Sequence, residues 1–296
     1  MKKCSLVPFM LLGLAAFLIA GCSSSTKSEG SLSDTEFQIM DQILNESMMS
    51  FNIEALKLSL NLIDSVSDIT AEKPLFTLHK ANDEILQITE LSYSYYNSWH
   101  IYSVTAKIIS DEYGETDSLL VTGIDSLRFL IDGEPRHFPD PDSTDEVNIR
   151  MHFDMDAFSA LGGTFSFNHH TSFDITGEDF ELDVFTLNGE TSDSVDISFD
   201  DYDGVSCDIF LNADQNFTDI FFNTDLECPD SGISNITAIV DMACSDSTQS
   251  FDVNGTWTGD FTFEGEDISV IIESGNTRWS FTDTCGTGGD PYSVKR

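Results

Sequence analysis

From about residue 75 onward, apolar side chains fall at every second position and hold that spacing almost to the end of the chain. A period of two is the signature of strands with one buried and one solvated face. The clearest case sets Val147, Ile149, Met151, Phe153 and Met155 against Asn148, Arg150, His152 and Asp154. Phe165, Phe167, His169, Thr171, Phe173 and Ile175 share a face, and Phe180, Leu182 and Val184 repeat the pattern. Val195, Ile197 and Phe199 do so again, as do Val205, Cys207, Ile209 and Leu211. The same signal predicts strands at 86–95 and 99–109 around Asn97-Ser98, and at 119–121 and 127–131 before an Asp132-Gly133 hairpin turn. It continues at 217–222, 236–244, 251–263, 268–272 and 279–281, while 138–142 reads as a loop. The predicted fold is mainly β: a large antiparallel meander forming an open curved sheet, a sandwich or a barrel-like closure, with a division into two sub-sheets near 140–160 as an option.

Upstream the period is different. Phe37, Met40, Leu44, Met48, Phe51, Ala55, Leu58, Leu62 and Val66 recur at three- and four-residue steps, preceded by Ser33 and Glu36 in capping-box spacing. This predicts a helical segment over 33–73, open to a break at Asn52 or Asn61, ahead of a β domain at 74–290. The opposite face lacks the paired Glu and Lys of a coiled coil. Packing on the chain's own sheet is the expected use.

The first residues set the address. Lys2 and Lys3 precede an apolar run from Leu6 to Ile19, a secretory signal pattern. A membrane span wants about 20 apolar residues, and this run is shorter and meets a Ser-rich stretch. It ends Leu18-Ile19-Ala20-Gly21-Cys22, which resembles the lipobox of bacterial lipoproteins. The resemblance implies cleavage before Cys22, acylation of its thiol, and a membrane partner reached through the lipid. Residues 1–21 are then the signal peptide and 22–32 a lipidated Ser-rich tether. Each buried methylene contributes about 0.8 kcal/mol, so two or more chains hold firmly. Ser23 after the cysteine implies, within that family, sorting to the outer membrane of the cell envelope. In general style, the mature part resembles β-rich envelope lipoproteins.

Charge changes the list of partners. The sequence carries 13 Lys plus Arg against 52 Asp plus Glu, so nucleic acid and anionic membrane surfaces are poor partners. Residues 151–277 contain no Lys or Arg but 27 carboxylates. Repulsion there has to be relieved by screening, by bound cations or by spreading the acids over a solvated face.

Without Cys4 and Cys22, four cysteines remain: Cys207, Cys228, Cys244 and Cys285. Two disulfides are expected in an exported chain, and nearest-neighbour pairing joins Cys207 to Cys228 and Cys244 to Cys285. Long spacings and the lack of a CxxC argue against zinc. Asp200, Asp201 and Asp203 before Gly204 look like a calcium loop, but Phe199 and Phe210 fall at ligand positions of the EF-hand pattern. Asp140, Asp142, Asp145 and Glu146 form a second calcium candidate, so calcium is the one cofactor considered. His169 and His170 are adjacent and point to opposite faces of a strand, although His152 can meet one of them across strands. No nucleophile elbow, H-E-x-x-H, P-loop or dinucleotide fingerprint occurs. Pairs such as Asp154 with Asp156, or Glu178 with Asp179, are what 52 acids supply by chance.

The expectation is therefore a lipid-anchored envelope protein with a structural or protein-interaction role and no catalytic constellation. The alternative is a carrier holding a lipid or other hydrophobic ligand on the apolar face of a curved sheet. The first predicts a filled core, the second a cavity the chain's own side chains cannot fill.

Overall fold

The computed structural model describes residues 84–284, apart from 113–114, 141–142, 160–162, 178–183, 201–204, 224–228, 246–249 and 266. Cys22, the tether and the helical stripe lie outside the described residues, as do Cys228, Cys285, Asp142, Asp201 and Asp203.

The chain forms β1 (Glu84–Tyr96), β2 (Trp99–Glu112), β3 (Glu115–Ile131), β4 (Glu134–Arg136), β5 (Glu146–Ser159) and β6 (Gly163–Thr176). Then follow β7 (Val184–Asp200), β8 (Ser206–Asn223), β9 (Ser231–Ser245), β10 (Ser250–Glu264), β11 (Asp267–Ser274) and β12 (Thr277–Thr284). All belong to one antiparallel sheet that runs in chain order, with β4 a short flap on β3. The meander is open, with β1 and β12 as its edges. It runs undivided through 140–160, because β3 and β5 are hydrogen-bonded neighbours. Asn97 and Ser98, then Asp132 and Gly133, take positive φ in the turns of the first two hairpins, the backbone twist that two-residue connections require.

Alternation sorts the two faces. Along β9, buried and exposed residues alternate without a break from Ile233 to Ser245. Apart from Leu130, the buried apolar side chains occupy one face, here the inner face. Leu127, Phe129, Ile149, Phe261, Val270 and Ile272 are fully buried there. Each such side chain contributes about 1.5–3 kcal/mol.

The outer face carries the acids. From β5 to β10, no carboxylate has another carboxylate as its cross-strand partner. Instead Ser166 donates to Asp156 at 2.9 Å, Ser198 to Asp208 at 2.7 Å and Asn235 to Asp260 at 2.6 Å. These short dipolar neighbours offset part of the charge repulsion.

One disulfide corrects the nearest-neighbour pairing: Cys207 is bonded to Cys244. The two are register partners on β8 and β9, with Cα atoms 4.2 Å apart. Strand pairing, not sequence distance, brings them together. The bond closes a separation of 37 residues, and the chain-entropy model values that at about 3–4 kcal/mol. A Cys207→Ala/Cys244→Ala chain is expected to lose about that much in urea unfolding while keeping its far-ultraviolet β spectrum.

Candidate functional site

Two clusters of polar chemistry lie back to back across the middle of the sheet. The inner one interrupts the apolar face. Tyr102, Asp125, Met151, Thr171, Thr191 and Gln215 form one cross-strand row from β2 to β8. The adjacent row contains His169 opposite Asp193. Asp193 Oδ1 accepts from His169 Nδ1 at 2.6 Å, and the Thr171 hydroxyl bonds His169 Nε2. Gln215 Nε2 donates to Ser234 Oγ at 2.7 Å.

The order carboxylate, imidazole, hydroxyl is that of a nucleophilic triad. All three groups are buried, however, with His169 at 0% exposure, Asp193 at 3% and Thr171 at 5%. What this arrangement does in the described chain is satisfy three buried polar side chains reciprocally and fix the imidazole tautomer.

Asp125 and Tyr102 are treated differently. They are direct partners, yet Asp125 Oδ1 and Tyr102 Oη are buried without a hydrogen bond. Burial pushes the Asp125 carboxyl up to about 7, only partly offset by the backbone N–H of Ser126. Burial likewise raises the Tyr102 phenol, with smaller contributions from Tyr93 and Asp125. At one end of this region His100 is buried among Tyr93, Tyr95, Phe129, His137 and Phe138. Its Nε2 donates to the His137 carbonyl at 2.5 Å and its Nδ1 accepts from Tyr93 Oη at 3.0 Å. Burial lowers its pKa, so it is held neutral at pH 7. Tyr93 and Tyr95, beside the first turn, thus pack on His100, whereas Tyr96 is exposed.

On the outer face, Trp99 of β2 sits under two guanidinium groups. Arg128 lies 4.7 Å and Arg150 4.6 Å from its ring centroid, within cation–π range. Arg128 also donates twice to Asn148 Oδ1, at 2.8 and 2.6 Å. Asn148 passes the interaction on to Glu146 at 2.7 Å and Asp174 at 2.6 Å. Next to Arg150, the rings of His152 and His170 stack with centroids 4.1 Å apart and Nδ1 atoms 3.1 Å apart. His152 Nε2 reaches Asp154 at 2.7 Å. Burial first, and His152 second, lower the His170 pKa.

Arg150, His152 and His170 border a hollow of about 530 Å³ across β3, β5, β6, β7 and β8, lined also by Glu190, Asp214 and Asn216. Its size falls within the range of small-ligand sites.

The sequence candidates fare unevenly. His152 does meet His170, as the spacing allowed, while His169 turns inward to Asp193. Asp200 ends β7, and its fellow calcium candidates Asp201 and Asp203 lie outside the described residues. Asp140 is exposed, its backbone N–H donating to Thr144 Oγ1 at 2.8 Å. Asp145 accepts from the Asp132 backbone at 3.0 Å, and Glu146 binds Asn148. Asp142 of this second calcium candidate lies outside the described residues, Asp145 Oδ1 is buried without a hydrogen bond, and no metal-ligand cluster of His, Cys, Asp or Glu occurs among the described residues. The pairing of Trp99 with Arg128 and the sharing of one hollow by Glu190 and Asp214 left no signal in the sequence, because strand register alone sets them. No protein-family model, no curated protein and no solved structure matches the chain.

Proposed function

We propose that the chain is a lipid-anchored cell-envelope protein with an interaction role, acylated at Cys22 and sorted to the outer membrane. In this reading the outer face of its sheet meets another envelope component. The Leu18-Ile19-Ala20-Gly21-Cys22 motif supports the anchor. The division of the two faces carries the interaction role. The inner face is packed with fully buried Phe129, Phe261 and Ile149, whereas the outer face holds the hollow and its unspent polar groups. In this reading the helical segment of 33–73 packs on the sheet, giving the apolar face its second layer.

A carrier is the second reading. It is favoured by the buried, unbonded Tyr102 Oη and Asp125 Oδ1, where the polar head of a hydrophobic ligand would find partners.

Two measurements test this. Labelled palmitate is expected to enter the full chain and to be absent from Cys22→Ser, which should move to the soluble fraction. Label retained by the variant would overturn the anchor. Native mass spectrometry of the soluble variant should give the bare polypeptide mass. A co-purified lipid would replace the interaction role with the carrier.

A further inference from the structure

The hollow on the outer face is asymmetric in charge, and its charged groups are not used up by the fold. One side is built by Arg150 and the His152–His170 pair on β5 and β6. The other is built by Glu190 on β7 and Asp214 with Asn216 on β8. Arg150 is exposed and rests on Trp99, and no carboxylate pairs with it among the described residues. In a chain with 52 acids, a guanidinium without an acidic partner is conspicuous. Glu190 and Asp214 are likewise without a side-chain hydrogen bond or ion pair among the described residues.

Charge complementarity then fixes the ligand's ends. Arg150 offers a bidentate fork whose planar face is already held by the Trp99 ring, and the group that uses such a fork fully is a carboxylate. The strongly acidic chain disfavours a ligand of net negative charge. Glu190 and Asp214 at the other end call for a cation, which makes the ligand neutral overall. The strand spacing sets its length. Between backbones, β5 to β7 spans about 10 Å and β5 to β8 about 14 Å, and the lean of Arg150 over Trp99 of β2 makes these lower bounds. An extended peptide of three or four residues covers about 10–14 Å between its termini. Its backbone amides would lie over Ser172, Ser192 and Asn216, which supply neutral donors and acceptors.

We propose that the hollow binds a short zwitterionic peptide, its C-terminal carboxylate on Arg150 and its N-terminal ammonium on Glu190 and Asp214. The site rests on the outer face being the recognition surface, as proposed above, and names the chemistry recognised there.

Titration calorimetry of the full chain with tri-alanine is expected to show saturable binding. Tri-alanine amide and N-acetyl-tri-alanine, each lacking one terminal charge, should each bind about tenfold more weakly. In Arg150→Gln, tri-alanine and its amide should bind alike while the acetyl penalty persists. In Glu190→Gln/Asp214→Asn the reverse should hold. These exposed outer-face substitutions leave the core untouched, and an unchanged urea midpoint will verify that each variant is folded. Absence of saturable binding to the folded parent, or equal binding of all three peptides, would overturn the proposal. So would a carboxylated sugar such as glucuronate outcompeting tri-alanine. Because none of these readouts involves Cys22, a negative result here is distinguishable from failure of the anchored reading.

Discussion

Gly189→Ala is expected to cost about 4 kcal/mol or more, a large share of the roughly 5–15 kcal/mol that holds an ordinary domain folded. Gly189 has φ of +152°, and a Cβ added there would lie 2.2 Å from the Ser172 carbonyl oxygen and 2.9 Å from Phe173 Cα. Both are backbone atoms of the neighbouring strand and cannot step aside. The position also sits at a register shift between β7 and β8, where the Asn188 side chain accepts from the Asp219 backbone at 2.8 Å. Across the gap left by the missing side chain, the rings of Phe173 and Phe217 meet edge to face, 5.5 Å apart. An alanine would break that contact as well as the ladder. Gly133→Ala provides the comparison. With φ of +74° and nothing within 4 Å, it should cost only the strain of a left-handed residue, about 1–2 kcal/mol. Urea unfolding of the two variants side by side checks this, and equal losses would refute the steric account.

Asp125→Asn should stabilise the protein at pH 8 and have little effect at pH 4. The Asp125 carboxyl is raised from its ordinary value of 3.8 to about 7 by burial. Between those values the folded chain keeps a proton that the unfolded chain has released, so stability falls as pH rises through that window. Below about 4 both states are protonated and no penalty applies. Above about 7 the penalty is complete, roughly 4 kcal/mol for a shift of about three pH units. The other acids add their own pH dependence, so the informative quantity is the difference between variant and parent. That difference should grow between pH 4 and 7 and then level off. A pH-independent difference would mean that Asp125 is not the buried titrating group.

The same residues explain what could and could not be read from the sequence. Strands whose inner face is apolar throughout, such as β9 and β10, stand out by alternation alone. Residues 119–121 and 127–131 read as two strands but form the single β3, because Gly123 and Asp125 occupy inner positions between them. Likewise Val184 and the run 195–199 belong to one strand, β7, whose inner face carries Gly189, Thr191 and Asp193 in the middle. Residues 205–211 and 217–222 are joined in β8 through Ala213 and Gln215. Each false break falls where the inner polar cluster crosses a strand. Alternation measures apolar burial, and a buried hydrogen-bonded row leaves no mark in it. The outer cluster was invisible for a different reason. Trp99, Arg128, Arg150, Glu190 and Asp214 span 116 positions of sequence, and only pairing in register places them on one face.

The placing of acids opposite Ser, Thr and Asn also bears on how a sheet of such uniform alternation keeps its alignment. A slip of two residues leaves every apolar side chain on the inner face, so hydrophobic burial alone barely opposes it. Charge does oppose it. Slipping β8 by two along β7 in one direction sets Asp196 against Asp208 and Glu190 against Asp214, and in the other direction sets Asp200 against Asp208. A like slip between β9 and β10 sets Asp241 against Asp252. Each such facing pair costs about 0.2–1 kcal/mol, and with no Lys or Arg between 151 and 277 nothing nearby neutralises it. The excess of acid that looks like a burden on the folded state thereby works as an alignment code, penalising the misaligned sheets that the inner face would tolerate.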